Sequence, residues 1–274
     1  MQILNSFQFK PINIRTEYLQ LKSTAQSLAY GRFLYEYQDQ GQHYWLKCQA
    51  AGHPQYQLGF QRELDFYQSV VDEHLAEIVL PYAICQFTAV DSAMVADCDC
   101  LITPHSQPLF QHSPDDLSFD ELIHQLLQIL AVLERLHQQG WIHGDLKKEH
   151  FVFALGRVKL FDFEHCVNVN QTQQGHLTAT PRYMAPELFR HAAKSYASDV
   201  YALGIILLEW LTQQRLVAKS YQQWAILHCQ SLIIELPARF QCLYGILSAM
   251  LQKDPLRRTV DFSVLKKRLI LDIV

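Results

Sequence analysis

Bulk composition offers this chain no obvious partner. Basic residues do not outnumber acidic ones, 23 Lys and Arg against 27 Asp and Glu, so no basic excess points to a nucleic-acid backbone. The densest basic run, Lys266-Lys267-Arg268, is short and reads as the solvated face of a terminal helix. No apolar stretch reaches the roughly 20 residues that a membrane-spanning helix requires. The opening Met1-Gln2-Ile3-Leu4-Asn5 lacks the basic-then-apolar order of a signal peptide, so a cytoplasmic protein is expected. Seven cysteines make an odd number with no regular spacing. The one close pair, Cys98 and Cys100, lies on a strand-like run, and structural thiols are expected. There is no internal repeat and no low-complexity segment. What remains is ordinary for a globular chain: 49% apolar and 18% charged residues over 274 positions, enough to bury a sizeable core.

The first hundred residues alternate short aromatic and apolar runs with polar turns. Glu17-Tyr18-Leu19-Gln20-Leu21, Arg32-Phe33-Leu34-Tyr35-Glu36-Tyr37 and His43-Tyr44-Trp45-Leu46-Lys47-Cys48 read as antiparallel strands. Asp39-Gln40-Gly41-Gln42 reads as the hairpin turn between the last two. A helix is expected from about Phe60 to His74, before Pro81, and two more strand-like runs lead to Cys100-Leu101-Ile102-Thr103. Beyond Pro104-His105-Ser106 the texture becomes helical. Ser118-Phe119-Asp120-Glu121 has the order of a capping box, and apolar residues recur at Leu122, Leu126, Ile129, Leu130, Leu133 and Leu136 until Gly140. A second long helix, Ser198 to Thr212, is apolar on most sides and is expected to be central.

Past Gly140 come Trp141-Ile142-His143-Gly144-Asp145-Leu146-Lys147-Lys148-Glu149-His150, then Leu160-Phe161-Asp162-Phe163-Glu164. Thr180-Pro181-Arg182-Tyr183-Met184-Ala185-Pro186-Glu187 and Ser198-Asp199-Val200-Tyr201-Ala202-Leu203-Gly204 follow. In that order these resemble the catalytic-loop HRDLKxxN, the DFG, the APE and the central-helix motifs of eukaryotic-type Ser/Thr protein kinases. Asp254-Pro255 with Arg258 is similar to a late element whose Arg pairs with the Glu of the APE motif, here Glu187. The resemblance implies an α+β, bilobal protein-kinase-like fold: an N-lobe, residues 1–103, of antiparallel sheet plus one helix, and a mainly helical C-lobe, residues 104–274, around a nucleotide cleft.

It also implies roles. Phosphoryl transfer needs phosphate charge neutralised, a hydroxyl oriented in line, and metal held between phosphate oxygens. Asp145 matches the base that accepts the substrate proton, Lys147 the cation that reaches the transferring phosphate, and Thr180 the residue that hydrogen-bonds this pair in Ser/Thr kinases. Lys47 matches the lysine on the α/β phosphates, paired with Glu63; a surface salt bridge is the alternative for that pair, and a loop cap for Asp145. Asp162 matches the metal carboxylate, so ATP and Mg2+ are the implied cofactors.

The chain also departs from the family. Counting back from Gly31 as the last glycine of the phosphate loop puts Gln26 and Leu28 where the other two should be, which predicts a looser grip on ATP. Trp45, two residues before Lys47 and so on the same strand face, stands where the family has Ala against the adenine: it stacks on the base, plugs the pocket, or packs elsewhere. His150 replaces the Asn that holds a second metal, and Glu164 replaces the Gly after Asp162-Phe163. Oxygen ligands suit magnesium, so manganese tolerance or a site shared by Asp162 and Glu164 is expected. Gly144 replaces an Arg that reads activation-loop phosphorylation in many kinases.

His-Gly-Asp and Asp-Phe-Glu also resemble segments of aminoglycoside and choline phosphotransferases, which keeps a small-molecule or sugar-lipid kinase in view. The segment ending in Ala185-Pro186-Glu187 shapes a peptide surface in the protein kinases and favours a protein substrate. A pseudokinase that binds and regulates a protein partner is the non-enzymatic alternative, and transfer of a nucleotide by inverted ATP binding is a third. Retention of Lys47, Glu63, Asp145, Lys147 and Asp162 together favours catalysis.

Overall fold

The structure, a computed structural model, describes residues 2–7, 18–39, 41–70, 73–87, 98–170 and 179–271. The chain forms two compact units, Met1–Gln107 with Phe161–Glu164, and Pro108–Leu160 with His165–Val274.

The first unit is built on a six-stranded sheet comprising β1 (Gln2–Phe7), β2 (Gln20–Leu21), β3 (Arg32–Asp39), β4 (Gln42–Gln49), β5 (Tyr82–Phe87) and β6 (Cys98–Pro104), in the order β1-β5-β6-β4-β3-β2. Every neighbouring pair runs antiparallel. Alternation sorts its side chains. Tyr35, Tyr37, Leu46, Cys48, Ala83, Cys85, Cys100 and Ile102 bury themselves together on one face, which leaves Trp45 and Lys47 of β4 to the other. The helix α2 (Pro54–Gln68) packs against β4, presenting Phe60, Glu63, Leu64, Phe66 and Tyr67 as its buried stripe.

Several elements differ from the sequence reading. The helix opens at Pro54 rather than Phe60, because proline is favoured in a first helical turn, where no amide bond is lost, even though the residues after it are polar. Its expected end falls partly on 71–72, outside the described residues; a short helix α3 (Glu73–Ala76) follows them. Only Gln20–Leu21 of the first expected strand is extended, and Glu17 lies outside the described residues. The outermost strand, Gln2–Phe7, was not foreseen. Of the turn at Asp39 to Gln42, Gln40 lies outside the described residues, but β3 and β4 stay in register through Asp39 opposite Gln42. Where the phosphate loop was counted, residues Ala25–Ala29 instead make a short helix α1. Thr24 caps it, its hydroxyl accepting from Ser27 N at 3.2 Å, and Ala-Gln-Ser-Leu-Ala contains neither glycine nor a β-branched residue to oppose helix.

In the second unit, beyond the two-residue strand β7 (Gln107–Pro108) at the junction, α4 (Phe119–Gln138) carries the anticipated capping box: Glu121 N donates to Ser118 Oγ at 3.3 Å and Ser118 N to Glu121 Oε2 at 2.8 Å. All six of the periodic apolar residues from Leu122 to Leu136 are buried. Gly140, at φ +78°, turns the chain into β8 (Trp141–Ile142). A hairpin follows, β9 (Phe151–Ala154) against β10 (Arg157–Leu160), and then β11 (Val167–Asn168) pairs with β8. The helix α5 (Tyr196–Thr212) is buried on nearly every side, as its largely apolar sequence requires. Finally α6 (Tyr221–Ile226), α7 (Tyr244–Met250) and α8 (Phe262–Leu271) complete the unit, with α8 laid against α4 and Lys266 paired to Glu134. No helix among the described residues is long and apolar enough to cross a membrane.

Candidate active site

In the first unit the site is organised around Lys47. Its position on β4 sends the ammonium away from the apolar face, toward the stripe of α2 that holds Glu63. Lys47 Nζ lies 2.6 Å from Glu63 Oε2, 3.1 Å from Asp162 Oδ1 and 2.8 Å from Glu164 Oε1. The other oxygen of Glu164 is taken by Arg32. Burial works against the lysine's charge, but Asp162 and Glu63 outweigh it and hold the ammonium above its ordinary value. Glu63 is 1% exposed. Burial raises its carboxyl above the usual range, Lys47 pulls against that, and Asp162 adds to it. Its second oxygen accepts from Phe163 N at 3.1 Å.

That last bond explains the geometry of the Asp162-Phe163-Glu164 turn. Asp162 has φ +64°, a conformation that Asp tolerates better than most residues. Phe163 is fully buried, stacked on Phe66 with centroids 3.9 Å apart and edge-on to Tyr67 at 5.6 Å. The buried ring and the Glu63 bond both fix Phe163, the residue directly after Asp162.

In the second unit Asp145 is buried. It accepts from Thr180 N at 2.7 Å through one oxygen and pairs with Lys147 Nζ at 2.9 Å through the other. Thr180 thus reaches Asp145 through its backbone amide. Burial raises the Asp145 carboxyl, but Lys147 and His165, with the bonds from Lys147 and Thr180, outweigh it, and the group lies below its ordinary value. Gly144, at φ +78°, would place an added Cβ 2.6 Å from His165 O and 2.7 Å from Lys194 Cδ, so only glycine fits there. Glu187 and Arg258 form a bidentate pair at 2.6 and 2.9 Å.

The structure therefore gathers Lys47, Glu63, Asp162 and Glu164 in one unit, and Asp145, Lys147 and Thr180 in the other. His150 is buried in the second unit on the turn Lys148–His150, its ring 5.3 Å from that of His143. Gly31, at φ +70°, follows α1, and a Cβ there would meet His53 at 2.8 Å. Trp45 lies 5.7 Å, ring to ring, from His105.

Two residues escaped the sequence reading. Asp199 accepts from His143 N at 2.7 Å and Gly144 N at 2.9 Å, and lies 3.1 Å from His137 Nε2, so it fixes the backbone just before Asp145. Its place inside an otherwise apolar helix was the available signal, since a buried carboxylate needs partners. Arg32 gave no signal, because its partner Glu164 is distant in sequence.

The model of the protein kinase domain matches residues 66–270, beginning after Lys47 and Glu63. Among similar proteins, serine/threonine-protein kinase PAK 4 of Homo sapiens is 32% identical over 151 residues, 51% of this chain and 25% of that protein. Serine/threonine-protein kinase Nek3 of Mus musculus is 29% identical over 144 residues, 51% of this chain and 28% of that protein. The PknB protein of Lactococcus lactis, named a probable serine/threonine-protein kinase, is 36% identical over 112 residues, 39% of this chain and 18% of that protein. The chain thus spans between 18% and 28% of the length of these relatives. With the family model covering well over half of its residues, the chain belongs to the protein kinase domain family.

Proposed function

We propose that the chain is a working Ser/Thr protein kinase that moves the γ-phosphoryl group of ATP to an aliphatic hydroxyl of a protein. The observation that carries this reading is the Lys47–Glu63 pair at 2.6 Å with Asp162 3.1 Å from the same ammonium. A buried carboxylate orients the lysine, and an ordered turn brings the metal-binding residue beside it. Lys47 would hold the α/β phosphates, with Gly31 and Trp45 the further residues toward the nucleotide. Asp145, kept ionised by Lys147 and Thr180 N, is suited to accept the proton of the attacking hydroxyl, and Lys147 to meet the transferring phosphoryl group.

The donor set fits a hard divalent cation: Glu63, Asp162 and Glu164 each offer a carboxylate oxygen, all within 4.8 Å of one another. Asp162 would hold magnesium, with Glu164 as a further ligand. When bound, the cation neutralises charge on the phosphates. A cytoplasmic setting, a protein substrate and no nucleic-acid partner complete the reading.

One observation favours a pseudokinase instead. Glu164 occupies Lys47 and ties it to Arg32, and α1 stands where glycine amides would approach phosphates. Incubation with γ-labelled ATP and a casein-type substrate, in magnesium and separately in manganese, decides between the two. Label on protein that is lost in Asp145→Asn establishes the kinase. Absence of label, with no nucleotide binding by calorimetry, establishes the pseudokinase. Equal activity in the two metals, unchanged by Glu164→Ala, removes Glu164 from the metal site.

A further inference from the structure

Three of the seven cysteines converge on the buried face of the first unit's sheet. Cys48 on β4 stands directly opposite Cys100 on β6, and Cys98 lies two residues along the same strand, hence on the same face. Cys48 Sγ and Cys100 Sγ are 2.8 Å apart, and Cys98 Sγ and Cys100 Sγ 3.8 Å. One ligand atom from each lies within 4.8 Å of the others. Zinc–thiolate bonds of about 2.3 Å in a tetrahedral site put sulfurs about 3.8 Å apart, so one edge already has that span and another reaches it by opening about 1 Å.

A second observation points into the same place. The Tyr35 hydroxyl is buried with no hydrogen-bond partner among the described residues, and its side chain belongs to the same packed cluster. A protonated phenol there is a donor in search of an acceptor, and a metal-bound thiolate is a strong one.

We propose that Cys48, Cys98 and Cys100 bind one Zn2+ ion as three thiolates from two strands, with the fourth position open to water beside the partly exposed Cys98. The ligands are soft, which selects zinc or copper(I) over magnesium and calcium. Charge selects between those two. The residues packed with the cluster in the core, among them Leu46, Ala83 and Ile102, are apolar, and the charged neighbour, Asp99, is an acid beside Cys98 that adds to the negative charge. Three thiolates, two of them buried, are left at −1 by a divalent ion but at −2 by a monovalent one, and burial penalises the larger charge. The ion would brace β4 to β6 at the residue next to Lys47. This inference stands on the sheet alone and does not depend on the kinase reading.

The test is titration of the reduced, metal-free full chain with Zn2+ against a chromogenic chelator, with Co2+ as the spectroscopic stand-in. One equivalent of tight binding is expected, with proton release, a rise in melting temperature, and a cobalt spectrum carrying thiolate charge-transfer bands. Cys98→Ser, at the most exposed of the three positions, should weaken binding by more than about a hundredfold, beyond what loss of an outer partner costs. Its metal-free melting temperature should stay near that of the parent. Cys229→Ser, in the other unit, should bind as the parent does. No stoichiometric binding, binding unchanged in Cys98→Ser, preference for copper(I) over zinc under competition, or a Cys48–Cys100 disulfide in the isolated chain would each overturn the proposal.

Discussion

Replacing Arg258 by Met should remove a large part of this protein's stability without touching any residue assigned to phosphoryl transfer. The Arg258 side chain is 0% exposed. Its guanidinium donates to both oxygens of Glu187 at 2.6 and 2.9 Å, to Ala197 O at 2.8 Å and to Gln252 O at 2.9 Å. It also lies 4.9 Å from the centroid of the Tyr201 ring. Methionine fills much of the same volume, so the cost is that of leaving the buried Glu187 carboxylate and two carbonyls unmatched, and breaking such a pair from one side costs about 3–5 kcal/mol. Against a typical total of about 5–15 kcal/mol this is about a fifth or more. With a urea slope of about 1–3 kcal/mol per molar, the midpoint should fall by roughly 1–5 M. Urea unfolding followed by circular dichroism measures this. The double variant Arg258→Met with Glu187→Leu should recover more than about 1 kcal/mol relative to the single, because it removes the orphaned charge. A single-variant loss below about 1 kcal/mol, or a double variant no better than the single, would refute the reasoning that an uncompensated buried carboxylate sets the cost.

Gly144→Ala should destabilise the loop before Asp145 and Gly144→Arg should do so more strongly, because φ +78° and the 2.6 Å approach of His165 O leave no room for a side chain; equal melting temperatures would contradict this. His228 is fully buried, hydrogen-bonded to Tyr201 Oη at 3.0 Å, and burial pushes its imidazole down to about 4. The unfolded chain therefore takes up a proton near 6.5 that the folded one refuses, so stability falls as pH drops from about 6.5 to about 4, by up to about 3 kcal/mol; His228→Gln should flatten that slope in pH-dependent melts. Glu164→Gly should lower the melting temperature and tighten nucleotide binding several-fold by calorimetry, since it releases Lys47 and Arg32 from a shared carboxylate. Arg32→Gln combined with Glu164→Gly should lose less stability than the two singles together, because each single strands the other's charge.

The legible parts were those where one local pattern has one meaning. The capping box at Ser118, the apolar period of α4 and the largely apolar α5 each specify an element from consecutive residues, and the motif residues around Asp145 and Asp162 lie in short, ordered runs. The Lys47–Glu63 pair came from resemblance rather than from pattern, and it formed although both residues precede the family match. What stayed illegible depends on contacts distant in sequence. Gln2–Phe7 becomes a strand only because β5 is beside it. Arg32 meets Glu164, and Cys48 meets Cys98 and Cys100, through pairings that no spacing rule announces. The helix α1 was hidden for the opposite reason: the family pattern supplied a loop, while the residues themselves, capped by Thr24, favour a helix.

The departures from the kinase pattern are better understood together than counted one by one. A carboxylate at Glu164, 5% exposed, could not be buried alone. Arg32 and Lys47 neutralise it, and Arg32 begins β3 directly after Gly31, which itself closes the helix that replaces the glycine loop. The missing glycines, the added Glu164 and the position of Arg32 are therefore one connected arrangement in which each change accommodates another. Three carboxylates then share two cations, Lys47 and Arg32, which leaves the cluster with an excess negative charge. Such a cluster favours a divalent cation and disfavours a bare triphosphate, so nucleotide should bind here with its metal or hardly at all. A fold that had simply lost catalysis would have no physical reason to keep that charge organised around a lysine held 2.6 Å from its buried partner.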